Sequence, residues 1–444
     1  MKGAHTLRGL TRGRSAWHNW SGSVTARPVR VDRPWSQDEV VSVIHRAREQ
    51  GLRVKAVGAG HSFSPIAHAP GVQVDLTGLT GLVAADATRG QVTLRAGTPL
   101  HAIPALLAPH GLAMANLGDI DRQTISGAVS TGTHGTGLGH GGLATQVVGL
   151  SLVDGTGQLR TFTQEDPELR GAVIGLGALG VVTEVTLQCV GAFALHAVER
   201  PEPLEHVLET FVERCQSEDH LEFYWFPHTG TASTKTNTRL PADSPLAPLS
   251  RRQRVLDDEL LANGAYAATC RVGAQLPFIV PTLNRVAASL YGDRSFTDRS
   301  DRVFATSRRV RFHETEWAVE LEAVPTVQRE IEAMIRRHDF RVSFPLEFRA
   351  AAPDDLWLST AHERTTGYVA AHRFAREDPT EYFRAVRDIA LAHGGRPHWG
   401  KMHDLDHASL AARYRRMDDF LQLRDRLDPD RLFGNDYLTR VLGA

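Results

Sequence analysis

The sequence has little cysteine and no excess of either charge. Only three cysteines occur among 444 residues, and Cys189, Cys215 and Cys270 show no CxxC spacing. This scarcity argues against a zinc motif and a disulfide framework, so we predict no metal site, and it fits a reducing cytoplasm. Lys and Arg number 50 against 51 Asp and Glu, a net charge of -1. No broad attraction to nucleic acid or to anionic membrane is therefore expected.

Long apolar runs are also absent. No stretch of about 18 apolar residues appears, so a membrane-spanning helix is not expected. Residues 1–15 are basic and lack the apolar core of a secretory signal, so we interpret them as a flexible leader. We predict a cytoplasmic protein, and peripheral contact with a membrane stays open. The nearest candidate for a basic patch is formed by Arg251, Arg252 and Arg254, a pattern more typical of a solvated loop.

The length of 444 residues predicts two domains, because a single core rarely grows that large. Charged and aromatic residues become more frequent after about residue 193, where we place the boundary. Ser36 followed by Glu39 is a capping-box pattern, which predicts a helix ending at Gly51. Alternating or β-rich residues predict strands at 53–57, 72–76, 92–96, 147–153, 158–162 and 181–190.

Three further segments carry clear local patterns. Residues 98–110 predict a helix, with Thr98 as its cap and Pro99 at its first position. Residues 325–338 show a long helical pattern. The polar, proline-containing stretch at 229–254 predicts an exposed loop.

The string VGAGHSFS at 57–64 is the most informative local pattern. A strand that ends in Gly58-Ala59-Gly60 exposes backbone N–H groups that can hold a pyrophosphate, because glycine has no Cβ to block the approach. Phe63 stands where a nicotinamide fingerprint needs its third glycine, so that fingerprint is not supported. On this string alone, a surface histidine in an ordinary turn explains His61 equally well.

A second glycine-rich string follows at 123–137, QTISGAVSTGTHGTG. It lies within residues 117–142, which carry little bulk and read as a loop rich in accessible backbone. Two such loops suit a large ligand with phosphates and a polar ring system. A glycine- and threonine-rich hairpin without a ligand is the alternative.

Together these strings resemble the vanillyl-alcohol-oxidase-type flavoproteins, and within them the sugar-1,4-lactone oxidases and the related alditol oxidases. The resemblance extends through GALGVVTEVTL at 177–187, PLEFR at 345–349, RPHWGK at 396–401 and LDPDRLFGNDYL at 427–438. It covers nearly the whole chain, with the motifs in the family's order.

The resemblance implies an α+β fold of two domains. An FAD-binding domain would occupy 16–193, after the leader at 1–15. A substrate domain with an antiparallel sheet flanked by helices would occupy 194–405. The segment 406–444 would return to the FAD-binding domain.

The resemblance also assigns the site residues. FAD would be attached covalently through His61. The expected cofactor-binding residues are Gly58, Ala59, Gly60, His61, Ser62, Asp119, Thr124, Gly127, Thr131, Gly132, Thr133, His134 and Val182. The expected catalytic residues are Glu347, Arg349 and Lys401. Glu347 would accept hydrogen bonds from substrate hydroxyls, while Arg349 and Lys401 would stabilise developing negative charge.

The residues alone leave several of these roles open. Glu347 and Arg349 alternate on one face of a predicted strand, and such a pair is more often a surface ion pair. His372 faces either the site or the core. Asp119 brings a carboxylate near the flavin, with no assigned role. Gly118 either leaves room for O2 beside the flavin or serves turn geometry.

The implied activity is oxidation of a ring hydroxyl of an aldono-1,4-lactone, such as L-gulono- or D-arabinono-lactone, by hydride transfer to flavin N5. O2 or another acceptor would reoxidise the flavin. The alternative is an alditol oxidase that converts a polyol such as xylitol or sorbitol to an aldose and releases H2O2. A non-catalytic flavin binder would lack Glu347, Arg349 or Lys401. A reductase of peptidoglycan precursors would lack RPHWGK.

Overall fold

The computed structural model describes residues 16–250, 266–290, 292–306 and 310–444. These residues form an α+β structure, as predicted, with small sheets in the first part of the chain and one large antiparallel sheet in the second. The leader predicted at 1–15 and the arginines Arg251, Arg252 and Arg254 lie outside the described residues. Among the described helices, none is long and apolar enough to cross a membrane.

A small parallel sheet lies in the first part of the chain. Its strands lie in the order Arg30–Asp32, Val72–Asp75 and Val54–Val57. The helix Gln37–Glu49 packs on it through an apolar face that includes Val40 and Ile44. Ser36 caps this helix, because its hydroxyl accepts a hydrogen bond from the Glu39 N–H at 3.2 Å. The predicted cap is confirmed, although the Glu39 carboxylate accepts from the N–H of Trp35 at 2.7 Å, one residue before the cap, and the helix ends at Glu49.

A five-stranded antiparallel sheet follows. Its order is Leu159–Thr163, Val147–Val153, Val181–Gln188, Gln91–Arg95 and Leu82–Asp86. The strands predicted at 147–153 and 158–162 are confirmed, and they pair as a hairpin with Val153 opposite Leu159. The stretch predicted as a loop contains a helix, Ile125–Ser130, which Thr124 caps by accepting from the Gly127 N–H at 3.3 Å.

The prediction of one continuous helix over residues 98–110 is wrong. The segment forms three short pieces, Leu100–Ala102, Ile103–Leu107 and Ala108–His110. Pro104 and Pro109 supply no N–H, so a continuous hydrogen-bond ladder cannot form. Thr98 does not cap them: its hydroxyl donates to the Arg95 carbonyl at 2.6 Å.

The second part of the chain builds an eight-stranded antiparallel sheet. Its order is Arg294–Arg299, Phe193–Pro203, Thr231–Pro241, His220–Trp225, Leu346–Ala351, Thr366–Phe374, Phe312–Glu320 and Arg396–Pro397. Alternate residues of a strand face opposite sides. One side buries aromatic rings such as Phe223 and Phe348, stacked at 4.3 Å, beside the helices Leu204–Ser217, Val324–Arg337 and Thr380–Ala392. The other side carries the polar residues of the site.

The exposed loop predicted at 229–254 is wrong for its first half; residues 242–250 are mostly exposed and form no strand or helix, and residues 251–254 lie outside the described part of the chain. Residues Thr231–Pro241 form a strand that pairs with Phe193–Pro203 on one side and His220–Trp225 on the other. Threonine recurs at alternate positions here, and β-branched residues favour a pleated strand. Thr234 lies on the aromatic face of the sheet, opposite Phe223, while Lys235 lies on the other face and is buried beside Glu222.

The C-terminal segment lies against the parallel sheet. The N–H of Val54 donates to the carbonyl of Leu432 at 2.8 Å. The ammonium of Lys55 donates to the carbonyl of Phe433 at 3.2 Å, and the Asn435 amide donates to the carbonyl of Ile66 at 3.1 Å.

The remaining described elements are short or peripheral. The α-helices are Leu169–Ala172, Tyr266–Gln275, Val280–Leu290, Ser300–Phe304, His407–Ala411, Met417–Leu427 and Asp436–Leu442. The 3-10 turns are Pro65–Ala67, Leu76–Gly78, Leu143–Gln146, Pro277–Ile279 and Leu321–Ala323. Two-stranded pairs join Trp17–His18 to Thr25–Ala26 and Leu112–Ala113 to Val190–Gly191.

Candidate functional site

The two glycine-rich strings meet in space. A Cβ added to Gly58 would lie 2.3 Å from the hydroxyl oxygen of Thr124, so the backbone of the first loop touches the second. Gly60 has a φ of +71°, a left-handed conformation that favours glycine. The first loop can therefore turn sharply after its strand and leave bare backbone facing the cleft between the loops.

A cleft runs from this junction into a charged cavity under the large sheet. The predicted cofactor residues that line its first part are Gly58, Ala59, Gly60, His61, Ser62, Thr124, Gly127, Thr131 and Val182. Those that line the cavity are His61, Ser62, Asp119, Thr131, Thr133 and His134, together with the predicted catalytic residues Glu347, Arg349 and Lys401. Gly132 lines neither part, and its carbonyl accepts from His398 Nε2 at 3.2 Å.

His61 lies where the two parts of the cleft join. Its ring stacks on Trp20, with centroids 5.8 Å apart and planes inclined by 25°. Burial, with the nearby charges of Lys401 and Arg122, lowers the pKa of His61 to about 4. The imidazole is therefore neutral at neutral pH and keeps a nitrogen lone pair.

Arg349 lies between two carboxylates on the polar face of the large sheet. Its Nη2 is 2.5 Å from Glu347 Oε1, and its Nε donates to Glu222 Oε2 at 2.8 Å. Tyr224 donates its hydroxyl proton to the same Glu347 oxygen at 3.1 Å. Burial alone would lower the pKa of Arg349, but the two carboxylates raise it well above its usual value. The predicted pair is thus a buried, charged cluster and not a surface ion pair.

Lys401 forms a second charged cluster in the same cavity. Its Nζ lies 2.5 Å from Glu314 Oε1 and 3.6 Å from Glu316 Oε2. Burial opposes the charge of Lys401, yet these carboxylates raise its pKa. Burial would raise the pKa of Glu314, but Lys401 and His372 lower it to about 2. The lysine is therefore protonated and the glutamate ionised at neutral pH.

Glu316 also belongs to a group that could hold a metal ion. One ligand atom each from His134, Glu316 and His398 lie within 4.8 Å of one another. His134 Nε2 is 2.8 Å from Glu316 Oε1. His398 Nδ1 accepts from the Gly400 N–H at 3.0 Å, and its Nε2 faces the Gly132 carbonyl. Both nitrogens of His398 are thus engaged by backbone, which favours a hydrogen-bonded network.

Three residues whose roles the sequence left open all line the cavity. His372 faces it, with Nδ1 2.8 Å from the Pro345 carbonyl and Nε2 3.6 Å from Glu314 Oε1. Asp119 accepts a hydrogen bond from the Thr306 hydroxyl. Gly118 lies so close to neighbouring backbone that an added Cβ would be 3.0 Å from the His134 carbonyl oxygen. A glycine is therefore needed here for close packing against the backbone of His134.

Hydrogen bonds join the motif at 57–64 to the motif at 396–401. The Phe63 N–H donates to the Gly400 carbonyl at 2.6 Å. The Ser64 hydroxyl donates to the Trp399 carbonyl at 2.8 Å. These bonds place Lys401 beside the cofactor loop.

Sequence reasoning missed Glu314 and Glu316, and also Glu222 and Tyr224 behind the predicted pair. A sequence signal for them was present. Glu314 and Glu316 alternate in HETEW, and Glu222 and Tyr224 alternate in LEFYW, with apolar or β-branched residues between them. Alternating charge on a buried strand indicates a polar interior surface.

Comparison with known proteins adds independent findings. Residues 28–163 match the model of an FAD binding domain, and residues 185–441 match the family model described as D-arabinono-1,4-lactone oxidase. The chain is 41% identical over 427 residues to L-gulono-1,4-lactone dehydrogenase of Mycobacterium tuberculosis, covering 96% of this chain and 99% of that protein. It is 31% identical over 434 residues to alditol oxidase of a Streptomyces species, covering 96% and 98%.

The fold is found among solved structures. A crystal structure of cholesterol oxidase from B. sterolicum superposes with a TM-score of 0.84 at 18% identity, covering 100% of this chain and 99% of that one. At this identity the likeness concerns the fold alone.

Proposed function

This chain belongs to the D-arabinono-1,4-lactone oxidase family, and from that membership we propose that it oxidises a ring hydroxyl of an aldono-1,4-lactone with bound FAD. The observation that carries the proposal is a cleft formed by two adjoining pockets, whose linings share His61, Ser62, Gln123 and Thr131. It begins between two glycine-rich loops and ends at Glu347, Arg349 and Lys401. A non-catalytic binder has no need of two buried ion-pair clusters, because burying charges costs free energy.

The cleft fits FAD on structural grounds. The contact between Gly58 and Thr124 and the left-handed Gly60 leave backbone exposed where a diphosphate needs N–H donors. The predicted cofactor residues that line the cleft would hold the cofactor, and Gly132 would only shape its loop. Val182 would face the adenine side.

Bound FAD supplies the acceptor for the hydride that leaves the substrate carbon. Lys401 and Arg349 remain positively charged, so they stabilise negative charge that develops on the substrate oxygen. Neither acts as the base, because the carboxylates around each raise its pKa. Glu347 accepts hydrogen bonds from substrate hydroxyls. Glu314 orients the Lys401 ammonium. It contacts the lysine and is not assigned to the substrate.

The substrate test uses the flavin colour. Under anaerobic conditions, L-gulono-1,4-lactone and D-arabinono-1,4-lactone should reduce the bound flavin and bleach its colour. Xylitol and sorbitol should leave the flavin oxidised and yellow. The higher identity to a lactone dehydrogenase than to an alditol oxidase supports this order. Bleaching by the polyols with no response to either lactone would replace the lactone proposal with the alditol oxidase alternative.

We propose further that His61 holds FAD covalently. Its neutral imidazole, at the junction of the two parts of the cleft, supports the attachment. Acid precipitation of the flavin-loaded protein should give a yellow pellet, and His61→Ala a colourless one. A colourless pellet from the unaltered protein would contradict the attachment.

The electron acceptor is proposed to be O2, because Gly118 lines the cavity and has no side chain that would obstruct it. The substrate-reduced protein should reoxidise in air at least as fast as with an added dye. Reoxidation by dye alone would assign the chain to the dehydrogenases.

The proposed division of labour follows the chain. Residues 16–193 hold the cofactor and residues 194–405 supply the substrate side. Residues 406–444 return to support the cofactor loop, as their contacts with Val54 and Lys55 suggest.

A further inference from the structure

We propose that Asn19 and Trp20 are positioning residues that hold His61 ready for its attachment to FAD. The inference rests on the proposed covalent link and deepens it. It concerns the segment 17–26, whose two short strands Trp17–His18 and Thr25–Ala26 pair with each other. No part of this segment entered the sequence-based account of the site.

The segment is hydrogen-bonded to the backbone on both sides of His61. The N–H of Trp20 donates to the carbonyl of Gly60 at 2.7 Å. The amide Nδ2 of Asn19 donates to the carbonyl of Ser62 at 3.0 Å. The residues immediately before and after His61 are thus each held by one hydrogen bond, which fixes the direction of its Cα–Cβ bond.

Asn19 is itself rigidly placed. It is buried, and its Oδ1 accepts from the Val24 N–H at 3.0 Å. Its Nδ2 also faces the hydroxyls of Ser21 and Ser23, each at 3.0 Å. An amide with both ends engaged transmits the position of the hairpin to the histidine loop.

Trp20 fixes the imidazole ring as well as the backbone. The indole stacks on the ring of His61 and packs edge-on against Phe312, with centroids 5.2 Å apart, and against Phe63 at 6.2 Å. Among the described residues, no hydrogen bond engages the His61 ring. The apolar stack keeps one face of the imidazole from water, while its nitrogens stay available to a ligand in the cleft.

The attachment step balances with dioxygen as the oxidant. A bond forms between an imidazole nitrogen of His61 and the 8α carbon of the flavin. The imidazole N–H and one C–H of that methyl group are broken. Their two hydrogens, with two electrons, pass through the flavin to O2 and leave as hydrogen peroxide. The neutral, oriented imidazole speeds the step because a fixed nucleophile needs no further ordering.

The experiment measures covalent and total flavin separately. Each purified variant is assayed for total flavin per chain by absorbance, and for covalent flavin by fluorescence of the denatured polypeptide in an acid-soaked gel. The variants are Trp20→Leu, Trp20→Phe, Asn19→Ala and His61→Ala. Trp35→Leu is the matched control. Trp35 lies near Trp20 in the sequence, is 61% exposed and does not line the cleft.

We expect Trp20→Leu and Asn19→Ala to keep their total flavin and to lose at least about tenfold in covalent fraction, as loss of orientation predicts. Trp20→Phe should restore most of the link, because a phenyl ring can still stack. Trp35→Leu should match the unaltered protein.

Three results would overturn the inference. Unaltered covalent fractions in both Trp20→Leu and Asn19→Ala would show that the segment does not position His61. Parallel loss of covalent and total flavin in both would assign the segment to the cleft as a whole. Absence of covalent flavin in the unaltered protein would remove the proposed link itself, a result distinct from the other two.

Discussion

The ammonium of Lys401 lies 2.5 Å from a carboxylate oxygen of Glu314, which lies on the strand Phe312–Glu320 of the large sheet. Lys401 follows directly after the loop that bonds to the cofactor string through Gly400. The pair therefore fixes a permanent positive charge at the border between the two halves of the site. Its partner is not a substrate group, so the lysine is oriented before any substrate arrives.

Loss of this charge should slow flavin reduction specifically. Lys401→Met should still bind FAD, because Lys401 lies outside the part of the cleft between the glycine loops. The rate of reduction by the lactone should fall by roughly 100- to 1000-fold, the usual cost of removing one charge-stabilising group. Anaerobic stopped-flow absorbance measures this rate, and an unchanged rate would remove Lys401 from the mechanism.

The Arg349 cluster should matter for stability as well as for activity. Arg349→Met leaves Glu222 and Glu347 without their shared cation, so the free energy of unfolding should fall by about 3–5 kcal/mol. The exposed pair Arg415–Glu363, 3.0 Å apart, is the control: Arg415→Met should cost less than about 1 kcal/mol. Urea denaturation measures both. Equal effects would show that the buried cluster carries no special stability.

The contact between the two glycine-rich loops should be needed for cofactor binding. Gly58→Ala drives its Cβ into Thr124, which must shift and uncap its helix. Flavin per chain should fall by at least about tenfold, because displaced loops no longer match the diphosphate. Gly139→Ala is the control, since a Cβ there meets nothing within 4 Å. Full flavin occupancy in Gly58→Ala would contradict the proposed cradle.

Acid should destabilise the protein partly through buried His220. Burial lowers the pKa of His220 from 6.5 to about 4, so the unfolded chain binds a proton that the folded chain excludes. The stabilisation that comes from the neutral His220 is complete above its pKa in the unfolded chain. It is lost as pH falls from that value toward the pKa of His220 in the folded protein. Between about pH 7.5 and pH 5 this costs about 2 kcal/mol.

His220→Phe should remove that share of the acid sensitivity. The phenyl ring keeps the ring contacts with His140 and Phe304, and it has no proton to bind. The difference in unfolding free energy between the two pH values, measured in urea, should shrink by the same amount. An undiminished difference would show that other groups set the acid response.

The sequence predicted those parts of the fold that local rules determine. The cap at Ser36 and the strand that carries Glu347 and Arg349 depend on spacing within a few residues, and both predictions were confirmed. The family likeness supplied the order of the domains and the identity of FAD. It also located Lys401, which no local pattern distinguishes from a solvated lysine.

The failures share a physical cause: polarity was taken as a sign of solvent. Lys235 and the carboxylates of Glu314 and Glu316 are buried in a polar interior, where charged partners distant in sequence compensate their burial. The partner of a buried charge is set by strand register across the sheet. Register depends on the whole sheet, so a single strand's sequence cannot reveal it.

The hydrogen bond from Val54 to Leu432 has a consequence for biosynthesis. The strand leading into the cofactor loop is made early on the ribosome, but its edge is completed by residues made almost last. Lys55 next to it also waits for Phe433. An emerging chain therefore has both glycine-rich loops long before it has their support, and stable flavin loading belongs after translation rather than during it.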